Sequence, residues 1–215
     1  MPHRNRTGQP QWQRRPEARA QEILDAALQA FAKRGFAATT MQEIATGASV
    51  SSGTLYLYYS DKEAIFKSLI GESIVPKLVQ LVETVASFKG TSLDLVRLTI
   101  RGFGHFAQHD PAAVLPRVIM AEAGNFPDLA RFYVSEVTER GLGLVETIIR
   151  RGIEEGEFRD VDPKHAARLI VVPLMFIGIW RTSFGMLEKN AENFEGYLET
   201  HLDFVTRALS VHHTP

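Results

Sequence analysis

The sequence predicts an all-α fold, with a small three-helix unit in front of a larger helical body. Apolar residues recur three and four apart along most of the chain, no segment alternates with period two for long, and no Asn-Gly hairpin signal occurs. The 215 residues suffice to bury a core, and 45% apolar with 23% charged residues is globular rather than disordered composition.

The first predicted helix follows Glu17, where Ile23, Leu24, Ala27, Leu28, Ala30 and Phe31 trace one face and Gly35 ends it. Thr40-Met41-Gln42-Glu43 reads as a capping box for a short second helix carrying Ile44 and Ala45 inward. Residues 47–49 form a turn-prone stretch, and Ser51 caps a third helix through Thr54, Leu55, Tyr56 and Tyr58. Ser60-Asp61-Lys62-Glu63 reads as a second capping box, opening a longer helix through Ile65, Phe66, Leu69 and Ile70 that Pro76 kinks. Further helices are expected over 92–108, 111–123, 127–155, 163–184 and 190–209, several of them opened by proline. The expected organisation is a basic flexible tail over 1–16, a front domain over 17–66 and a helical body over 67–215.

The net charge of -1 hides an asymmetry. Residues 1–70 hold nine basic and six acidic side chains, whereas 71–215 hold 15 and 19. Arg4, Arg6, Arg14 and Arg15 stand at the front with no acid among them. A basic end on an acidic body suits a polyanion partner on one side only, and a solvated tail is the competing explanation. The absence of cysteine excludes disulfides, a thiolate zinc site and a cysteine nucleophile. The longest apolar run, 169–180, is broken by Pro173 and Gly178 and is too short to cross a bilayer. No apolar stretch follows the first arginines, so a soluble cytoplasmic protein, without membrane association or cofactor, is expected.

The specific constellation lies between residues 39 and 66. Two short helices joined by a tight turn form a helix-turn-helix, which lays its second helix in the major groove of a duplex. Ala45 lets the helices cross closely, and Ile44, Val50 and Leu55 supply the shared seam. Ser51, Ser52, Thr54, Tyr56 and Tyr58 furnish small donors and flat hydroxyls, while Gly53 admits close backbone approach. Amphipathic surface anchoring explains each residue singly but not the ordered run.

The stretch from Ile44 to Glu63, with its Gly53-Thr54-Leu55-Tyr56 core and the Lys62-Glu63 pair after it, resembles the DNA-binding domain of the TetR (tetracycline repressor) family. The likeness runs from about Arg19 to Phe66 and includes Phe31-Ala32-Lys33-Arg34-Gly35-Phe36. It implies that Thr40 and Gln42 meet phosphate and a base, that Ser51, Ser52, Gly53 and Thr54 face the groove, and that Leu57 lies near the backbone or a thymine methyl. Tyr56, Tyr58 and Lys62 would then hold phosphates. Ser49 departs from the family pattern by standing where glycine is frequent, and Tyr58-Tyr59 replaces a frequent His-Phe pair.

The resemblance further implies a homodimer on a palindromic operator, released by a small, apolar or aromatic effector. Ile170, Leu174 and Ile177 in one late helix, with Leu198, Leu202, Val205 and Leu209 in the next, are the candidate interface, and filling the monomer's own core is the competing explanation. Phe103, Phe106, Met120, Phe126, Met175, Phe176, Trp180 and Phe184 are candidates for an effector pocket, against ordinary packing. Arg101, Arg117 and Arg181 could offer charge to an acidic effector, but surface exposure is the better explanation for each. His105 and His109, four apart on a helix, have a spacing that can hold a metal, but no third ligand is fixed and no metal site is assigned. No glycine-rich phosphate loop and no Gly-x-Ser-x-Gly elbow is present, so an enzyme is not expected. The alternative function is a helical small-molecule binding protein without promoter activity.

Overall fold

The computed structural model describes residues 16–185, 187 and 193–211. The expected basic tail, apart from Pro16, lies outside the described residues. Among the described residues the chain is helical, without a strand: α1 Pro16–Arg34, α2 Met41–Gly47, α3 Ser52–Tyr58, α4 Lys62–Ser73, α5 Val75–Ser87, α6 Ser92–His109, α7 Leu115–Glu122, α8 Pro127–Tyr133, α9 Arg140–Glu154, α10 Pro163–Ser183 and α11 Phe194–Leu209.

The front helices start and stop where local chemistry demands. Gly35 closes α1 at φ +81°, its N–H donating to the Phe31 carbonyl at 2.9 Å. Thr40 and Glu43 form the reciprocal capping box of α2. Ser51 caps α3 by accepting from the Thr54 N–H at 3.0 Å. Ser49, in the turn between α2 and α3, sits at φ +54°, a conformation that costs a residue with a Cβ about 1–2 kcal/mol. The cap of α4 differs from expectation: Asp61, not Ser60, accepts from the Ala64 N–H at 2.8 Å. Ser60 instead donates to the Asp61 carboxylate, and the two donors hold that carboxyl below the usual carboxylate range.

Pro76 does not kink a long helix; α4 ends at Ser73 and the proline stands in the first turn of α5, where its missing N–H costs nothing. The segment expected as one helix over 111–123 opens as a 3₁₀ turn, Pro111–Val114, before α7. The helix expected over 127–155 contains a π-helical stretch, Val134–Glu139, between α8 and α9. α11 opens at Phe194 with Asn193 as its cap, and residue 190 lies outside the described residues.

Two apolar clusters organise the molecule. The first joins Ile23, Ala27 and Phe31 of α1, Ile44 and Ala45 of α2, Leu55 of α3 and Phe66 of α4 to Leu115, Val118 and Ile119 of α7 and to Leu129 and Tyr133 of α8. Phe31, Phe36 and Phe66 form its centre, with ring centroids 5.2 to 5.9 Å apart. Each such fully buried ring stabilises the fold by about 1.5–3 kcal/mol over an exposed one. The second cluster packs α6, α9, α10 and α11 around Ile100, Ile148 and Leu174. The expected boundary at 66/67 therefore falls inside α4, and the front unit shares its core with α7 and α8.

Candidate functional site

The seam between α2 and α3 is closed: Ile44, Ala45 and Leu55 are fully buried. The opposite side of α3 stands in solvent, with Leu57 84% and Tyr56 56% exposed and Tyr58 beside them. Gly53 faces outward, and a Cβ there would find nothing nearer than the Ser51 hydroxyl at 3.8 Å. The fold itself therefore does not require glycine at this position. A short helix with a buried seam and an exposed apron of hydroxyls is what insertion into a groove requires.

The hydroxyls are already arranged in pairs. Ser51 and Thr54 share a 2.8 Å hydrogen bond, and the Ser52 hydroxyl donates to the Gln42 side-chain oxygen, tying the first turn of α3 to α2. Gln42 therefore presents its amide N–H donors, its oxygen being engaged. Thr40 is occupied by its cap, exchanging hydrogen bonds with Glu43, which also pairs with Arg34.

Lys62, expected at a phosphate, is engaged within the fold. Its ammonium donates to the carbonyls of Phe36, Ala37 and Thr39 at 2.8, 2.9 and 3.1 Å. It also lies over the rings of Phe36 and Phe126, 4.7 and 5.6 Å from their centroids. The loop between α1 and α2 turns three carbonyls inward, and the lysine at the start of α4 satisfies them. Glu122 of α7 binds the same loop through the Ala37 N–H at 3.1 Å, and Arg117 of α7 binds the Ala32 carbonyl at 2.9 Å.

Within the body an apolar cavity of about 510 Å³ lies between α5, α6, α9, α10 and the π-helical stretch. That volume falls within the range of about 300–1,000 Å³ usual for small-molecule sites. Phe103, Phe106 and Met175 line it as expected. Five candidates do not: Met120, Phe176 and Phe184 are exposed, the Phe126 ring packs 4.8 Å from Phe36, and the Trp180 ring lies at a tilt against those of Phe176 and Phe184. Bulk in the sequence marked these residues, but the backbone places them away from the space. Tyr133, one of the bulky residues of the body, also lines it, and Leu78 and Leu81 of α5 with Leu142 and Val145 of α9 add wall that was not anticipated. The spacing of Leu78, Leu81 and Val85 in α5 was the signal available for part of it. Arg101, Arg117 and Arg181 stay outside the cavity, engaged by Glu199, the Ala32 carbonyl and the Ala107 carbonyl.

The expected interface residues Ile170, Leu174, Ile177, Leu198, Leu202, Val205 and Leu209 are all buried inside the single chain and offer no surface to a partner. The same helices turn other apolar residues outward: Leu169, Val172 and Phe176 on α10 and Phe204 on α11. α10, at 21 residues, is also long and apolar enough by composition to cross a membrane, more than the run 169–180 suggested. His105 and His109 stack with centroids 4.6 Å apart, and no group of three or more metal-ligating side chains forms among the described residues.

A buried helix-turn-helix seam, an exposed α3 and an apolar cavity in the helical body define a DNA-binding regulator with an effector-sensing domain. Residues 23–69 match the model of bacterial regulatory proteins of the TetR family, and residues 96–205 match that of the AefR-like transcriptional repressor C-terminal domain. The HTH-type transcriptional repressor KstR2 of Mycobacterium tuberculosis is 30% identical over 149 residues, which cover 67% of this chain and 73% of that protein. The fatty acid metabolism regulator protein of Bacillus subtilis is 28% identical over 160 residues, covering 74% of this chain and 79% of that protein. The structure of FadR from Bacillus subtilis in complex with stearoyl-CoA shares the fold, with a TM-score of 0.72, 23% identity, and coverage of 89% of this chain and 99% of that one. The chain belongs to the TetR family of bacterial transcriptional regulators, and it is a ligand-responsive DNA-binding repressor.

Proposed function

We propose that the protein acts in the cytoplasm, away from any membrane, as a homodimer that holds a palindromic operator and releases it when an apolar effector fills the body cavity. The observation that carries this reading is the geometry of α3, whose Leu55 side is sealed into the core while Tyr56, Leu57 and Tyr58 stand in solvent. Two copies place two such helices on successive major-groove faces of one duplex. The pairing surface in this reading is the outward stripe of Leu169, Val172 and Phe176, with Phe204 beside it on α11. That stripe also accounts for the apolar character of α10 on both sides.

Ser52, Gly53 and Thr54 approach base edges, and Tyr56 and Tyr58 meet phosphates through their hydroxyls. Gln42 reaches a base or phosphate through its amide N–H. An effector with a large apolar part is supported by the cavity lining, by a relative named for fatty acid metabolism and by a structural neighbour that holds stearoyl-CoA. Occupancy acts by favouring one disposition of the two front units over another.

The test is a mobility shift on the promoter fragment adjoining the protein's own gene. The expected result is a dimer-sized complex whose affinity falls steeply with salt as condensed counterions return to the duplex. Absence of binding at low salt, with ligand binding intact, would replace the repressor by a small-molecule binding protein.

A further inference from the structure

Among the described residues the cavity wall holds two hydroxyls that the fold leaves without a hydrogen bond, Thr138 and Tyr133, and the tyrosine is the more deeply buried. Tyr133, the last residue of α8, is only 6% exposed and lines the cavity, yet its hydroxyl makes no hydrogen bond to any described residue. The other polar groups of the wall are committed or lie at its edge. Thr84 and Thr99 donate back to the Gln80 and Leu95 carbonyls of their own helices, at 2.8 and 2.9 Å, and Gln80 is exposed. Lys77 is the one charged lining residue among those described. Its ammonium is 3.0 Å from the Asp110 carboxylate, is bonded to the Ser73 carbonyl and lies over the Phe106 ring.

A phenol buried to this degree without a protein partner is a donor available to an acceptor in the cavity. Desolvation raises its pKa, so it stays protonated and able to donate. An anionic ligand finds no uncommitted cation on this wall and would face the cost of burial in apolar surroundings.

We infer that Tyr133 is the specificity-determining residue of the cavity, donating a hydrogen bond to the oxygen of an uncharged, otherwise apolar ligand such as a ketone, ester or thioester. This rests on the cavity being the effector site. Tyr133 also belongs to the apolar cluster that seats the front helices, and the π-helical stretch that follows it supplies Val137 and Thr138 to the same wall. A ligand that engages the hydroxyl therefore touches the cluster that seats the front helices.

The test uses the full chain and three probes of equal chain length: 2-dodecanone, dodecane and dodecanoate. Binding is measured by equilibrium titration to the wild type, to Tyr133→Phe and to Gly102→Trp. Gly102 is an exposed residue of the wall with nothing within 4 Å of where a Cβ would stand, and tryptophan is chosen there to crowd the cavity from its wall. The expected result is that 2-dodecanone binds the wild type and binds Tyr133→Phe about five- to tenfold more weakly, the loss of one neutral hydrogen bond. Dodecane should not distinguish these two proteins, and dodecanoate should bind more weakly than the ketone. Tyr133→Phe should melt no lower than the wild type, because it removes an unpaired hydroxyl and nothing else. Equal ketone affinity for the wild type and Tyr133→Phe overturns the inference while leaving the cavity reading in place. Tighter binding of dodecanoate than of ketone overturns the ligand class. No probe binding to the wild type, or unchanged binding to Gly102→Trp, overturns the cavity reading itself and the inference with it.

Discussion

Lys62 holds Phe36 twice, with its ammonium 4.7 Å from the ring centroid and a 2.8 Å hydrogen bond to the same residue's carbonyl. The two residues are 26 apart in sequence. The other two ammonium protons go to Ala37 and Thr39, so all three donors of the lysine are used within the fold. Lys62→Met, which keeps the aliphatic stem, should destabilise the protein by about 2–4 kcal/mol, the scale of losing charge-assisted bonds to partly buried carbonyls. At temperatures where the variant is folded, the slope of log affinity for duplex against log salt should stay as in wild type. A slope reduced by about one would instead assign the lysine to a phosphate.

Gly53→Ala separates folding from DNA contact. The nearest atom to the new Cβ is 3.8 Å away, and alanine is the better helix former by about 1 kcal/mol, so denaturant unfolding should show equal or higher stability. Duplex affinity should nevertheless fall at least tenfold, because the added methyl stands between α3 and the groove. Unchanged affinity would mean that the backbone of α3 does not approach the duplex closely.

The two faces of the late helices should respond differently to substitution. Leu169→Glu places a charge on a side chain that is 73% exposed, so the subunit should stay folded while light scattering falls from twice 24.0 kDa to 24.0 kDa. Leu202→Ala empties a buried site and should cost about 2–5 kcal/mol of stability. A Leu169→Glu variant that still scatters as a dimer would move the pairing surface elsewhere.

His201 should make stability pH-dependent. Its ring packs beside Tyr197, its Nε2 bonds the Ile170 carbonyl at 2.9 Å, and burial lowers its pKa below the ordinary value of about 6.5. The folded state therefore binds the proton less readily than the unfolded state. This contribution is fully present above about pH 6.5 and is lost as pH falls below it. His201→Gln, which can still donate to the carbonyl, should flatten this part of the melting-temperature profile between pH 7.5 and 5. An unaltered profile would show that His201 does not titrate differently on folding.

The front unit was legible in the sequence because its determinants are local. Thr40 with Glu43, Ser51 with Thr54, and Gly35 after Arg34 each act within a turn, and Ile44, Ala45 and Leu55 crowd one seam. The Lys62 clasp was not legible, because its partners lie 23 to 26 residues away and a lysine at a helix start reads equally well as a phosphate ligand. On α10 apolar residues occupy both faces, so periodicity does not say whether Ile170 and Leu174 or Leu169 and Val172 face inward; packing against α6 and α9 decides it. The cavity was half legible: aromatic bulk identified Phe103 and Phe106, but reading Pro76 as a kink concealed α5, which forms one wall. Tyr133 stood out by bulk, but nothing local marked its hydroxyl as unpartnered, since that is defined only by everything that fails to reach it.

The stretch Val134–Glu139 gives the helix between the two cores some slack. Hydrogen bonds there span five residues rather than four, so the coil stores a surplus residue within an unbroken spiral. A uniform α-helix pinned at both ends answers a push by straining or snapping a rung. A stretch of this kind can absorb or release a fraction of a turn, in the manner of a dislocation moving through a lattice, which would let α8 shift against α4 and α7 while α9 stays seated.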